Sequence, residues 1–320
     1  MPRQARLDFP GTLHHVICRG IEKREIVTDD KDKNNFVERM GSIADKSGTS
    51  VYAWALLTNH AHILLRSGLN GISDFMRKLL TGYAIVYNRR HSRHGYLFQN
   101  RYKSIICEEE KYLLELVRYI HLNPIRAGMV KTVEELDTYP YSGHSVIIGA
   151  TRHKWQDRGY VLSQFGSKEG RAKKEYKRFV EAGIGQGHRP ELVGGGLVRS
   201  QGGWSQVISM RRRGVEENSD ERILGSGEFV EKIVAEAEEQ QNRLITGVSV
   251  LKKVKETITS ICKEEGIKAT EIKGGSRRRQ TSRIRKRIAK ELIEIYGISM
   301  ATIARETGVT TTAISKMLAK

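Results

Sequence analysis

Hydrophobic and polar positions in the first 145 residues alternate between two periods. Leu13-His14-His15-Val16-Ile17-Cys18, closed by Arg19-Gly20, reads as a strand. From Asp29 to about Lys46, Phe36, Met40 and Ile43 recur at helical spacing. Val51 to Leu65 is one strand-like stretch, rich in β-branched and large apolar residues. Ser73 to Arg90 is a helix, with Phe75, Leu79, Tyr83 and Val86 on one stripe. Tyr96 to Ile106 reads as a strand in which Phe98 and Tyr102 interleave with Arg101 and Lys103. Glu108 to Asn123 is a helix with acids in its first turn, where the helix dipole favours them, and Pro124 ends it. The order β-α-β-α-β-α predicts a sheet with helices packed on it.

Residues 146–245 change in character. Gly194-Gly195-Gly196 and Gly202-Gly203 punctuate them, and Arg211-Arg212-Arg213 precedes an acidic patch. Short helices are expected at 170–182 and 228–243, within a partly ordered connector. Residues 246–320 are helical and basic again. Ser276-Arg277-Arg278-Arg279-Gln280 leads into Arg283, Arg285, Lys286, Arg287 and Lys290, over an apolar stripe of Ile284, Ile288, Leu292 and Ile295.

Charge narrows the partner. The 320 residues carry a formal net charge of +18, which points to a polyanion and first of all to nucleic acid, with an acidic membrane surface as the competitor. No run reaches the roughly 20 apolar residues of a spanning helix, and no signal-peptide pattern follows the basic Met1–Arg6. Cys18, Cys107 and Cys262 lack CxxC spacing, which fits a reducing, cytoplasmic setting without a disulfide framework.

Chemistry concentrates in two places. In Asn59-His60-Ala61-His62 the two histidines lie two apart on a strand, so they share a face, while Ala61, Ile63 and Leu65 face the other way. Such a pair can chelate a divalent metal; two surface histidines, or two imidazoles satisfied in the core, would give the same pattern. In Tyr119-Ile120-His121-Leu122-Asn123, Tyr119 and Asn123 are i and i+4 on one helical face. Tyr119 is either an amphipathic core-edge residue or a nucleophile, and attack on a phosphate becomes feasible when a metal polarises it. At the C-terminus, Ser299 to Leu318 fits a helix-turn-helix, with Ala304 where the helices touch, Gly308 at the turn and Ile314 and Leu318 inside. Thr310-Thr311-Thr312 supplies a cap and small polar residues at the start of the second helix. An ordinary helical hairpin is the alternative.

Together, His14-His15-Val16-Ile17-Cys18-Arg19-Gly20 with Asp29-Asp30, Asn59-His60-Ala61-His62, Phe98-Gln99-Asn100-Arg101-Tyr102-Lys103 and Tyr119-Ile120-His121-Leu122-Asn123-Pro124 resemble, in this order, the REP-associated tyrosine transposases. These are relatives of the single-tyrosine HUH insertion-sequence transposases. The resemblance covers about residues 1–145. It implies an α+β fold: a ferredoxin-like catalytic domain (1–145), the connector (146–245) and a separate all-α domain (246–320). It implies that His60, His62 and Asn123 hold Mg²⁺ or Mn²⁺, and that Tyr119 is the nucleophile. The reaction implied is cleavage and rejoining of single-stranded DNA at hairpin repeats through a 5′-phosphotyrosine. Relatives carry a larger hydrophobe at the position of Ala61 and Gln at the position of Asn123. Residues 246–320 resemble the DNA-binding domain of the bacterial initiator DnaA, which implies duplex DNA as a second partner. Candidate DNA contacts are Arg101 and Lys103 in the first domain, and Arg277, Arg278, Arg279, Arg283, Thr310, Thr311 and Thr312 in the last. Tyr102 is expected to stack on a base. The same resemblance allows a homodimer, and the expected location is cytoplasmic and nucleoid-associated. The rival readings are a domesticated repeat-binding regulator without catalysis and a relaxase or replication initiator with the same chemistry.

Overall fold

The computed structural model describes residues 7–99, 101–187, 189–193, 219–274, 276, 278–294 and 298–318. The chain forms two units, Met1–Ile233 and Val234–Lys320.

In the first unit the elements run β1 (Leu13–Arg19), α1 (Asp30–Ser47), β2 (Ser50–Leu56), β3 (His60–Arg66), α2 (Gly71–Arg90), β4 (Lys103–Cys107) and α3 (Glu109–His121). The sheet order is β2-β3-β1-β4-β5, antiparallel through the first four strands. A β-α-β-β-α-β chain with that order is the ferredoxin-like arrangement, so the unit is α+β. The short strand β5 (Ile223–Leu224) adds in parallel beside β4.

Both faces of the sheet are covered, which is why every residue of β1 before Arg19 is buried, His14 and His15 included. On one face, Val16, Ala61, Ile63 and Leu65 pack with Phe36 and Met40 of α1 and Phe75 and Leu79 of α2. On the other, Leu13, Leu64 and Ile105 pack with Leu116, Val117 and Ile120 of α3. Helix α1 starts where expected because Asp29 caps it by accepting from the Asp32 amide, and it stops at Gly48 in the left-handed region.

Three expectations change. The stretch Val51–Leu65 is a hairpin of two strands: Leu57-Thr58-Asn59 turns the chain, and the Thr58 carbonyl accepts from the Ile26 and Val27 amides. The apolar pattern alone does not reveal a turn this short. Tyr96–Gln99 and Arg101–Tyr102 are loop, not strand. They run beside the end of β1, where Gln99 donates to the Arg19 carbonyl and Phe98 bridges Gly20, and regular pairing begins only at Lys103. Tyr102 is buried beneath α2 with its hydroxyl toward Ser73, so it does not present a face for stacking on a base.

The segment from 146 to 193 packs into the first unit. It follows the short helices α4 (Asn123–Arg126), α5 (Val133–Thr138) and α6 (Gly143–Ile148) and forms α7 (Arg158–Ser163) and α8 (Glu169–Glu181). Val161, Leu162, Ala172, Tyr176, Val180 and Leu192 complete the core outside α3. The stripe Ala172, Tyr176, Val180 is four-spaced, so each residue lands on the same helical face. Arg211, Arg212, Arg213 and the two glycine clusters lie outside the described residues.

The second unit is all α in its described part. The long helix α9 (Gly227–Glu264) contains the unit boundary, and α10 (Ala269–Lys273), α11 (Arg279–Glu294), α12 (Met300–Thr307) and α13 (Thr311–Leu318) follow. Ile284, Ile288 and Leu292 are fully buried with Val254, Ile303 and Ile314, as the stripe predicts. Arg285 is buried too. It donates to the carbonyls of Ile272, Ser276 and Thr307, satisfying helix ends that would otherwise be left unpaired. Gly308 links α12 to α13 at φ +67, and a Cβ there would collide with the Lys273 carbonyl. Among the described residues no helix is long and apolar enough to cross a membrane.

Candidate active site

Register places the two histidines. His60 opens β3 opposite Arg19, and His62 lies opposite Ile17, so both rings project to the α3 face while Ala61 projects into the α1–α2 layer. Their ring centroids are 5.1 Å apart. Helix α3 brings Tyr119 over them. Its ring stands edge-on 5.9 Å from His62 and 6.2 Å from His15. Two segments nearly sixty residues apart in sequence thus meet at one point.

Hydrogen bonds fix which ring nitrogen is bare on each histidine. His15 Nδ1 is 2.9 Å from the Leu192 carbonyl, which can only accept, so His15 Nδ1 carries the proton. Neutral His15 therefore has a bare Nε2, and that atom is 2.9 Å from His62 Nδ1. His62 Nδ1–H must donate, which leaves His62 Nε2 with a free lone pair. His60 reaches the same state by another route. Asn59 Nδ2 donates to the Lys23 carbonyl, so Asn59 Oδ1 accepts from His60 Nδ1 at 2.6 Å. Both imidazoles present Nε2 as the open donor atom.

All three rings are neutral near pH 7. Burial pulls His15 and His60 down to about 4, and burial plus its histidine neighbours pulls His62 well below the usual histidine range. Burial pushes the Tyr119 hydroxyl up, and the Arg126 and Arg19 charges act in the opposite direction. Arg126 stacks over the Tyr119 ring at 5.0 Å and donates to the Tyr119 carbonyl.

Asn123 begins α4 one turn after Tyr119. It is buried, and its Nδ2 has no partner among the described residues. Among those residues no group of three His, Cys, Asp or Glu side chains is arranged to hold a metal. A metal here would need the Asn123 amide as its third protein donor.

The other candidates are dispersed. Arg101 is exposed in the loop before β4, and Lys103 opens β4 with its Nζ on the Val193 carbonyl at 2.6 Å. In the second unit Arg278, Arg279, Thr311 and Thr312 are exposed. Arg283 is exposed and paired with Glu265, and Thr310 caps α13 by accepting from the Ala313 amide. Arg277 lies outside the described residues. Sequence reasoning assigned no role at the site to His15, Asn59 or Arg126. The doubled histidine in β1 was a visible signal, because one of two adjacent strand residues must share the face of His62.

No curated protein matches the chain. A solved structure of a REP-associated tyrosine transposase bound to a REP hairpin is similar over 49% of this chain and 98% of its own, at 15% identity and a TM-score of 0.39. A candidate transposase from Deinococcus radiodurans is similar over 35% of this chain and 92% of its own, at 16% identity and a TM-score of 0.27. Residues 10–123, which hold β1 through Tyr119 and Asn123, match the family described as "Transposase IS200 like".

Proposed function

We propose that the first unit cleaves and rejoins single-stranded DNA at hairpin repeats, with Tyr119 as the nucleophile. The observation that carries this reading is the meeting of Tyr119 with two neutral imidazoles whose Nε2 lone pairs are both open. A core histidine pair satisfied by its surroundings would have no reason to leave both unpaired.

The donor set fits a divalent cation. His60, His62 and Asn123 would hold Mg²⁺ or Mn²⁺, which would withdraw charge from the phosphoryl oxygens of the scissile phosphate. His15 and Asn59 hold the two ligands in the tautomer that binding requires. Tyr119 Oη attacks phosphorus, the Oη–P bond forms and the P–O3′ bond breaks. Tyr119 releases its proton to solvent, and the departing 3′ oxygen takes one up. The tyrosine holds the 5′ side as a phosphodiester, so return attack by a 3′-OH reseals DNA without ATP. The reading extends to the second unit, where α12 and α13 form a helix-turn-helix that binds duplex DNA through Arg278, Arg279 and the exposed threonines.

A denaturing gel tests the assignment. Wild type should form a covalent adduct with a single-stranded hairpin in Mn²⁺. Tyr119→Phe removes one oxygen and should form none, while Tyr112→Phe should retain it. His60→Ala and His62→Ala should each abolish the adduct with the fold intact. An adduct that survives Tyr119→Phe, or full activity in the double histidine variant, contradicts the reading.

A further inference from the structure

We propose that Arg126 is a catalytic residue that grips a non-bridging oxygen of the phosphodiester attacked by Tyr119. The proposal rests on the reading of Tyr119 as nucleophile. It is carried by a cation that the described residues leave without a counter-charge.

Arg126 ends α4, two residues after Pro124 of the Asn123-Pro124 pair that redirects the chain out of α3. Its guanidinium lies over the Tyr119 ring at 5.0 Å, and Nη1 donates to the Tyr119 carbonyl at 2.9 Å. Its Nε is buried and has no partner among the described residues. The neighbouring acids are already taken. Glu115 holds Arg118 with both oxygens at 2.7 Å and also holds Arg189, while Glu191 is paired with Arg189. The formal charges acting on Arg126 from nearby side chains are those of Arg118 and Arg189, which repel it. Among the described residues, no carboxylate pairs with it.

A partly buried cation among like charges is costly unless an anion arrives. A phosphodiester is such an anion, and the planar guanidinium fork matches its oxygens better than an ammonium does. The position is right for that task, because the guanidinium lies over the Tyr119 ring, which itself stands 5.9 Å from His62. Pre-placed positive charge at the point where phosphoryl charge develops stabilises the transition state. An arginine that merely caps the end of α3 would also bond the Tyr119 carbonyl. Capping does not account for the buried, unpartnered Nε or for the missing carboxylate.

The test separates the two roles. A hairpin oligonucleotide is selected for binding to the full-length wild-type chain from a randomised pool. A neutral methylphosphonate is then walked through it, one linkage at a time. Affinity is read by fluorescence anisotropy in EDTA, where no cleavage occurs. Wild type should lose about tenfold or more at one linkage. Arg126→Gln should bind the unmodified strand more weakly and show no further loss at that linkage. The other linkages should behave as in wild type. Arg126→Lys, which keeps the charge and loses the fork, should fall between them. In Mn²⁺, Arg126→Gln should slow adduct formation by about 10²–10³-fold on the ordinary strand. Identical methylphosphonate profiles for wild type and both variants overturn the proposal. If wild type forms no adduct yet one linkage depends on Arg126, the nucleophile reading falls and the anion site stands.

Discussion

His15 Nε2 lies 2.9 Å from His62 Nδ1, and this contact makes a residue on a neighbouring strand responsible for the tautomer of a metal-ligand candidate. His15 itself is oriented by the carbonyl of Leu192, from the segment after α8. Outer partners of metal-bound histidines typically contribute 10–100-fold in affinity. His15→Ala should therefore weaken Mn²⁺ binding by about that factor, with His60 and His62 both intact. Calorimetric titration of Mn²⁺ measures it directly. Affinity unchanged in His15→Ala would show that His62 needs no partner at Nδ1.

The extent to which the sequence discloses this site follows from the range of the interactions involved. That His60 and His62 share a face is a consequence of the two-residue period, and that Tyr119 and Asn123 share a face is a consequence of the helical one. Both are local and therefore legible. His15 to His62 spans 47 residues and His15 to Leu192 spans 177, and no periodicity encodes such pairings. The hairpin at Leu57-Thr58-Asn59 was hidden because its polar part, Thr58-Asn59, is short and runs straight into the polar His60 and His62 of β3. Helix α8 was visible as a helix, but its role in the core was not. Its basic surface, with Arg171, Lys173, Lys174 and Lys177, masks a stripe of three buried residues.

Behind α3 a second polar chain ties that helix to α6 and α8. Asp137 accepts from His144 Nε2–H at 2.8 Å, so His144 Nδ1 accepts from the Tyr176 hydroxyl, also at 2.8 Å. The Tyr176 oxygen then accepts from His121 Nδ1–H at 2.7 Å. Every member of the chain except Asp137 is fully buried. Tyr176→Phe keeps the ring and leaves a donor on His121 and an acceptor on His144 unpaired. The expected loss is about 1–3 kcal/mol of stability, read as a fall in the denaturant midpoint at unchanged slope. A change below about 0.5 kcal/mol, the usual range for surface substitutions, would mean that the hydroxyl contributes little.

Stability should also fall on mild acidification. His14 is fully buried between Thr12 and Ser104, and burial pulls it down to about 4, with Asp8 opposing. The folded value lies below the unfolded one of 6.5, so between pH 6.5 and 4 the unfolded chain takes up a proton that the folded chain refuses. The contribution of His14 is complete above pH 6.5 and is lost as pH falls toward 4. It costs up to about 1.4 kcal/mol per pH unit in that window. His121, also lowered by burial, acts in the same direction. Thermal melts from pH 7.5 to 4.5 should show a falling Tm, with a shallower fall in His14→Gln. A flat profile in wild type would contradict the burial of neutral histidine.

Arg283 and Arg287 are held by Glu264 and Glu265, so part of the positive charge of α11 is already neutralised within the chain. Arg285 is buried and used on backbone carbonyls. The cations of this helix that remain for phosphate are fewer than the sequence suggests, with Arg278 and Arg279 exposed at and just before its start. On the proposed duplex-binding role, log affinity should fall linearly with log salt, by roughly 0.9 for each phosphate neutralised. Arg278→Ala with Arg279→Ala in the full-length chain should reduce that slope by roughly 1.8 if each residue neutralises one phosphate. Arg283→Ala should change the slope far less, because its charge is already balanced. Thr311→Ala and Thr312→Ala carry no charge change, so they should alter the preference among duplex sequences while the slope stays the same. Anisotropy titrations on one duplex at several salt concentrations measure all three. A slope that falls by roughly 0.9 in Arg283→Ala would show that DNA breaks the Glu265 pair on binding. A slope near zero in wild type would remove duplex DNA as the partner of this unit.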